Sequence, residues 1–235
     1  MKELIVSAGT DLHKIYVIGG HETCCSDGHD TECGNVDIPR RIVVERDAKV
    51  DVVIAVMAGE SCDWKIDVEL VGEGAEANLY GTYVCGSDEK VKMAVDMHHK
   101  VPHCNSRQLF KGIAGGESRV DFYGKIIVAQ DAQRTEAYQE NHNLLLSDKA
   151  KVDTKPQLEI YADDVKCSHG ATIGRLNEEE QFYMRSRGIS LEDAKVLQMI
   201  SFIAPVLENV RDEAQRESLS YSFESDIYAF FVRRG

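Results

Sequence analysis

Residues 46–56 read Arg46-Asp47-Ala48-Lys49-Val50-Asp51-Val52-Val53-Ile54-Ala55-Val56, a small residue inside a polar turn that runs straight into an apolar stretch. Apolar patterning with a period near two reads as half-buried strand. It recurs in Arg41-Ile42-Val43-Val44-Glu45, Lys65-Ile66-Asp67-Val68-Glu69-Leu70, Gly124-Lys125-Ile126-Ile127-Val128 and Gln157-Leu158-Glu159-Ile160-Tyr161. The turn recurs too, as Glu73-Gly74-Ala75-Glu76-Ala77, Gly116-Glu117-Ser118-Arg119-Val120, Gln130-Asp131-Ala132-Gln133-Arg134 and Asp148-Lys149-Ala150-Lys151-Val152. One unit repeated at irregular spacing suits a stacked β-solenoid, because one coil cannot bury its inward side chains alone whereas stacked coils share a continuous core. Periodicity by itself leaves a β-sandwich open as the competitor.

The texture changes after Gly174. Asn177 followed by Glu178-Glu179-Glu180 is an N-cap with acids in the first turn, and Gly188 supplies a stop, so a helix is expected to about Arg187. Ser190 with Asp193 opens a second helix, whose apolar face is Ala194, Leu197, Ile200, Ala204, Leu207 and Val210, with Pro205 kinking or ending it. A third helical piece is expected at Asp226 to Val232. The expected organisation is a β core over residues 1–174 and a helical segment over 175–235.

Composition narrows the function. Hydrophobic residues at 43% allow a packed core, and a formal charge of −13 makes nucleic acid and anionic membrane poor partners. No apolar run approaches the roughly 20 residues of a bilayer span, and no secretory apolar segment follows Met1. A cytoplasmic protein with seven reduced cysteines is expected, the odd count and spacing being unlike a disulfide framework. No phosphate-binding Gly-x4-Gly-Lys-Ser/Thr loop and no Gly-x-Ser-x-Gly nucleophile elbow is present.

Six segments follow one another in an informative order. They are Ser106-Arg107-Gln108-Leu109-Phe110-Lys111-Gly112, Phe122-Tyr123-Gly124-Lys125-Ile126-Ile127-Val128 and Asn143-Leu144-Leu145-Leu146-Ser147, then Asp153-Thr154-Lys155-Pro156-Gln157-Leu158-Glu159-Ile160, Asp164-Val165-Lys166-Cys167-Ser168-His169-Gly170-Ala171-Thr172 and Phe182-Tyr183-Met184-Arg185-Ser186-Arg187-Gly188-Ile189. In order and distance these resemble the core of the SufB/SufD family of iron–sulfur cluster assembly proteins, whereas residues 1–100 resemble it only in texture. The resemblance implies a mainly β fold, a right-handed parallel β-helix followed by a small C-terminal α-helical segment. It implies end-to-end pairing through the last coils with a SufB-type paralogue, or as a homodimer in isolation, and docking of a SufC-type ATPase on the helices. It also implies a scaffold with no catalytic residues of its own, any ATPase activity lying in the partner. Family members usually carry a helical region ahead of the β-helix, so the resemblance is to a short form.

Glu140-Asn141-His142-Asn143 stands where SufB-type members resemble one another in carrying a cluster-linked cysteine, so the resemblance is to the SufD branch. Within it, His169 matches the family's cluster-ligand histidine at the subunit interface. Cys167, two residues earlier, shares its strand face and is the companion candidate. The cargo implied is a transient iron–sulfur cluster, for which thiolate and imidazole are suitable donors.

Further constellations carry other readings. His21, Cys24, Cys25, His29 and Cys33 put five metal donors in a short Gly-containing stretch, which could close a zinc site and make the chain a stand-alone metal-binding module. His98-His99 and His103-Cys104 form a third group, which strand alternation should split between core and solvent. Cys62, Cys85 and Trp64 read as packing residues. Asp163-Asp164 could serve a carbohydrate-active β-helix enzyme only if adjacent carboxylates shared a face, which strand geometry opposes.

Overall fold

The structure, a computed structural model, describes residues 3–19, 31–34 and 36–229. Strands are numbered in chain order. One sheet has six strands in the order β1 (Glu3–Val6), β4 (Arg41–Val44), β6 (Cys62–Leu70), β8 (Lys90–His99), β10 (Arg119–Val128), β12 (Lys151–Ile160). The other has seven, in the order β13 (Val165–Gly174), β11 (Thr135–Leu145), β9 (Asn105–Ala114), β7 (Glu76–Cys85), β5 (Lys49–Val56), β2 (Asp11–Ile18), β3 (Thr31–Gly34). Every neighbouring pair is parallel, and from β4 to β13 successive strands alternate between the sheets. This is a β-solenoid, as the turn repeat implied, and the β-sandwich alternative is set aside. One coil takes 27 residues from Lys49 to Glu76 and 30 from Glu136 to Lys166, which explains why the repeat is irregular in sequence.

The recurring turn has a structural basis at one corner. Gly9, Asp47, Gly74, His103 and Arg134 all have positive φ there, between 51° and 77°. Amides of successive corners bond the next coil, as in Gly9 N to Arg46 O and Asp47 N to Glu73 O. At every corner after the first, the residue that follows the left-handed one turns inward: Ala48, Ala75, Cys104 and Thr135 are buried, whereas Thr10 is exposed.

Alternation then fills the space between the sheets. Val91, Met93, Val95 and Met97 of β8 point in, and Phe110 stacks on Phe122 with ring centroids 4.8 Å apart. Gly112 lets the Tyr83 ring cross its strand, since a Cβ there would sit 1.8 Å from Tyr83 Cζ.

Three helices follow: α1 (Glu178–Ser186), α2 (Leu191–Leu207) and α3 (Glu213–Ile227). Asn177 caps α1 by accepting from Glu179 and Glu180 amides, Ser190 caps α2, and Gly188 has φ +90°. Pro205 lies in the last turn of α2, which ends at Leu207. The third helix differs from the expected Asp226 to Val232. It begins at Glu213 behind an Asp212 cap and buries Gln215, Leu219, Phe223 and Ile227 at a four-residue repeat. Residues 230–232 lie outside the described residues.

The helices do not close the open end of the solenoid. They cover the outer face of the seven-stranded sheet. Val196, Met199, Ile203, Leu219 and Phe223 form a second core with Val17, Val53, Ala55, Val84, Leu109 and Ile113. That is why β5 and β7 are buried on both faces along most of their length whereas β8 and β10 alternate.

Candidate functional site

Among the described residues, no further strand covers the last coil of the stack. β12 pairs only with β10 and β13 only with β11 among the described residues, so both strands present an unpaired edge at the same end of the solenoid. Free edges of this kind invite another strand. Val152, Pro156 and Leu158 on β12 and Val165 and Cys167 on β13 are half-buried against the inter-sheet core, and beside them Ile160, Tyr161 and Ile173 are exposed. Pro156 fits this position, because an edge strand can forgo one ladder donor.

Cys167 and His169 occupy the inward row of β13, in register with Ala137 and Gln139 of β11. Those two β11 residues are fully buried, yet Cys167 is half-buried and His169 exposed, for want of a further coil. Burial pushes the Cys167 thiol up, with a backbone hydrogen bond from Ala137 opposing it. Beneath lie buried amides: Gln139 Nε2 donates to Gln108 Oε1 at 3.0 Å, and Asn143 Nδ2 donates to Asn141 Oδ1 at 2.6 Å. The Tyr83 hydroxyl reaches Asn143 from an earlier coil. Gln108 Nε2, Gln139 Oε1, Asn141 Nδ2 and Thr154 Oγ1 are buried without a partner among the described residues, which leaves the end of the stack polar inside and apolar at its rim. His142 points outward and bonds Thr172 Oγ1 at 2.8 Å.

A family model described as "SUF system FeS cluster assembly, SufBD core domain" matches residues 37–202. This chain belongs to the SufBD core family. The match begins well ahead of Ser106, so the family core reaches coils whose own motifs were not legible. Its relatives include Escherichia coli SufD, 44% identical over 151 residues, and the Synechocystis SufBD family protein slr0076, 48% identical over 109. The Arabidopsis thaliana chloroplastic protein ABCI7 is 35% identical over 181 residues. The aligned segments are 64%, 46% and 73% of this chain but only 36%, 24% and 37% of those relatives, so the match spans between about a quarter and little more than a third of their length. Within the SufBD family the chain is SufD-like.

The other candidates in this SufBD chain fall elsewhere. His21, Cys24, Cys25 and His29 lie outside the described residues, and Cys33 is described only as part of β3. The histidine pair divides as alternation requires. His99 is 1% exposed and bonds Ser106 Oγ at 2.8 Å, its pKa lowered to about 4 by burial, while His98 faces outward. His103 holds a corner and Cys104 is buried. Burial pushes the thiols of Cys62 and Cys104 up to about 12 and about 11, and that of Cys85 higher, so all three are poor nucleophiles. Asp163 and Asp164 sit in the bend before β13 and not on a strand, and Asp164 faces Arg134 at 3.8 Å. No helix among the described residues is long and apolar enough to cross a membrane.

Sequence reasoning missed a donor set that only the coil register creates. Asp67 of β6, Asp96 of β8 and His98 converge on the outer face of the six-stranded sheet. Nothing in the linear order links Asp67 to Asp96.

Proposed function

We propose that this chain is a non-catalytic, SufD-type scaffold subunit of a cytoplasmic iron–sulfur cluster assembly complex. The observation that carries the reading is the coincidence, at one end of the solenoid, of two free strand edges, an apolar rim and the exposed His169 beside Cys167. An imidazole and a thiol at such a seam would offer few ligands to a cluster, which suits a cargo that must leave. A SufB-type paralogue is the partner that would complete the seam, with a second copy of this chain as its stand-in when alone.

Docking of a SufC-type ATPase is assigned to the outward side of α1 and α2. Phe182, Tyr183 and Leu197 are 73%, 60% and 48% exposed there, an apolar concentration that the second core leaves unused. Truncating α2 would be a poor test, because its other side covers the sheet. Tyr183→Ala with Leu197→Ala spares that side, and loss of ATPase copurification is the expected result.

The seam is tested in anaerobic pull-downs from the organism's own cells and in reconstitution. Leu158→Lys places a charge on the rim and should abolish pairing, read as a halved mass in light scattering, with the chain still folded. His169→Ala should leave pairing intact and lower the iron and sulfide content of the reconstituted complex. Full pairing by Leu158→Lys, or undiminished cluster content in His169→Ala, would end the reading.

A further inference from the structure

The outer face of the six-stranded sheet carries chemistry that the seam does not use. Asp67 and Asp96 are register partners on adjacent parallel strands. His98 is two residues beyond Asp96 on β8, so both side chains leave the same face. One carboxylate oxygen from each aspartate and one His98 ring nitrogen all lie within 4.8 Å of one another, and all three residues are half-buried.

The charge there is incompletely balanced. Lys65 Nζ lies 3.1 Å from Asp67 and 2.7 Å from Asp96, one ammonium shared by two carboxylates. Neighbouring cations are engaged elsewhere, Lys125 with Glu159 at 2.7 Å and Arg41 and Lys100 with Glu69 at 2.8 and 2.5 Å. Asp96 is only 15% exposed, and its Oδ1 is buried with no hydrogen-bond partner among the described residues. A carboxylate oxygen cut off from both water and donors is stabilised by a cation placed against it.

We propose that Asp67, Asp96 and His98 form a binding site for a first-row divalent cation, which displaces Lys65 as it enters. Two anionic oxygens and a neutral imidazole suit Mn2+, Fe2+ or Zn2+. With bonds of about 2.0 Å, tetrahedral ligand atoms stand about 3.3 Å apart. The donors therefore need to close by at most about 1.5 Å, a distance that rotation of the side chains, Asp67 at 39% exposure foremost, can cover while the strands stay fixed. Three protein ligands leave at least one coordination position for water or a further ligand. The site is separated from the edge strand β12 by β10, so it stands or falls apart from the seam.

The probe is Mn2+, a hard ion for which the cysteines between Cys24 and Cys33 are poor competitors. Free Mn2+ is titrated by electron paramagnetic resonance against the full chain and its variants. One ion bound per chain is expected, with affinity at least tenfold weaker in Asp96→Asn and in His98→Gln. Lys65→Met, which frees both carboxylates, should bind several-fold more tightly, a gain that no loss of folding can imitate. Cys24→Ser with Cys33→Ser should leave Mn2+ binding unchanged. No Mn2+ binding by the unmodified chain, equal binding in Asp96→Asn, or unimproved affinity in Lys65→Met would overturn the proposal.

Discussion

Truncating Ile203 to alanine tests whether the helices and the solenoid are one cooperative body. Ile203 is 1% exposed on α2 and belongs to the core shared with β2, β5, β7 and β9. The change removes three carbons, about 2.4 kcal/mol at roughly 0.8 kcal/mol per methylene. The cavity adds to this, since a sheet on one side and α3 on the other limit collapse, and about 3 kcal/mol falls within the usual span for such truncations. That is about a hundredfold in the unfolding equilibrium. Two probes separate the parts: the chain's one tryptophan, Trp64, lies on β6 with its ring 6.3 Å from Phe110 and reports the inter-sheet core, while circular dichroism at the helical minimum reports the tail. In urea both signals should move together to lower concentration by the same free energy. If the helical signal is lost early while the Trp64 transition stays where it was, β5 and β7 do not couple the two cores and the reasoning is wrong.

Gly112→Ala should destabilise by about 1–3 kcal/mol or more, because its Cβ would enter the Tyr83 ring and that ring is fully buried, with nowhere to move; a urea midpoint measures it. His99 makes stability fall with acid. Unfolded, the ring takes a proton near pH 6.5, whereas folded it refuses one until about pH 4, so its contribution is whole above pH 6.5 and is lost as pH drops toward 4. The loss amounts to roughly 3 kcal/mol at 1.36 kcal/mol per pKa unit. Unfolding measured from pH 7 to pH 4 should show a shallower slope in His99→Gln, and equal slopes would refute the assignment.

The sequence was most legible where one face of a strand meets water. In β8 and β10 the alternation of Val91, Met93, Val95 and Met97, or of Val120, Phe122 and Ile126, gives strand and inward face together, and the same parity divided His98 from His99. It was less legible where both faces are covered. The run Val52-Val53-Ile54-Ala55-Val56 carries the signature of two-sided burial, but nothing in it says that α2 and α3 supply the second cover. The third helix was expected only from Asp226 and not from Glu213, because Leu219, Phe223 and Ile227 are the only buried apolar residues of α3, thinly spread among serines and glutamates. The exposed row of β13 was reached through the family resemblance, since Cys167 and His169 alone look like any half-buried strand pair. The Asp67–Asp96 pair had no local signal at all, because their neighbourhood is made by coil length.

The bare edges of β12 and β13 set a rule of parity for whatever joins them. Two solenoids meeting by the same end are related by a two-fold axis, so the strands across the joint run head to foot although every pairing inside each body is parallel. Sliding such a joint by one residue would exchange inner and outer rows and carry Cys167 and His169 away from their counterparts. Only even displacements keep both rows facing, so a mismatched companion cannot compromise by a small shift and must either seat in step or not at all.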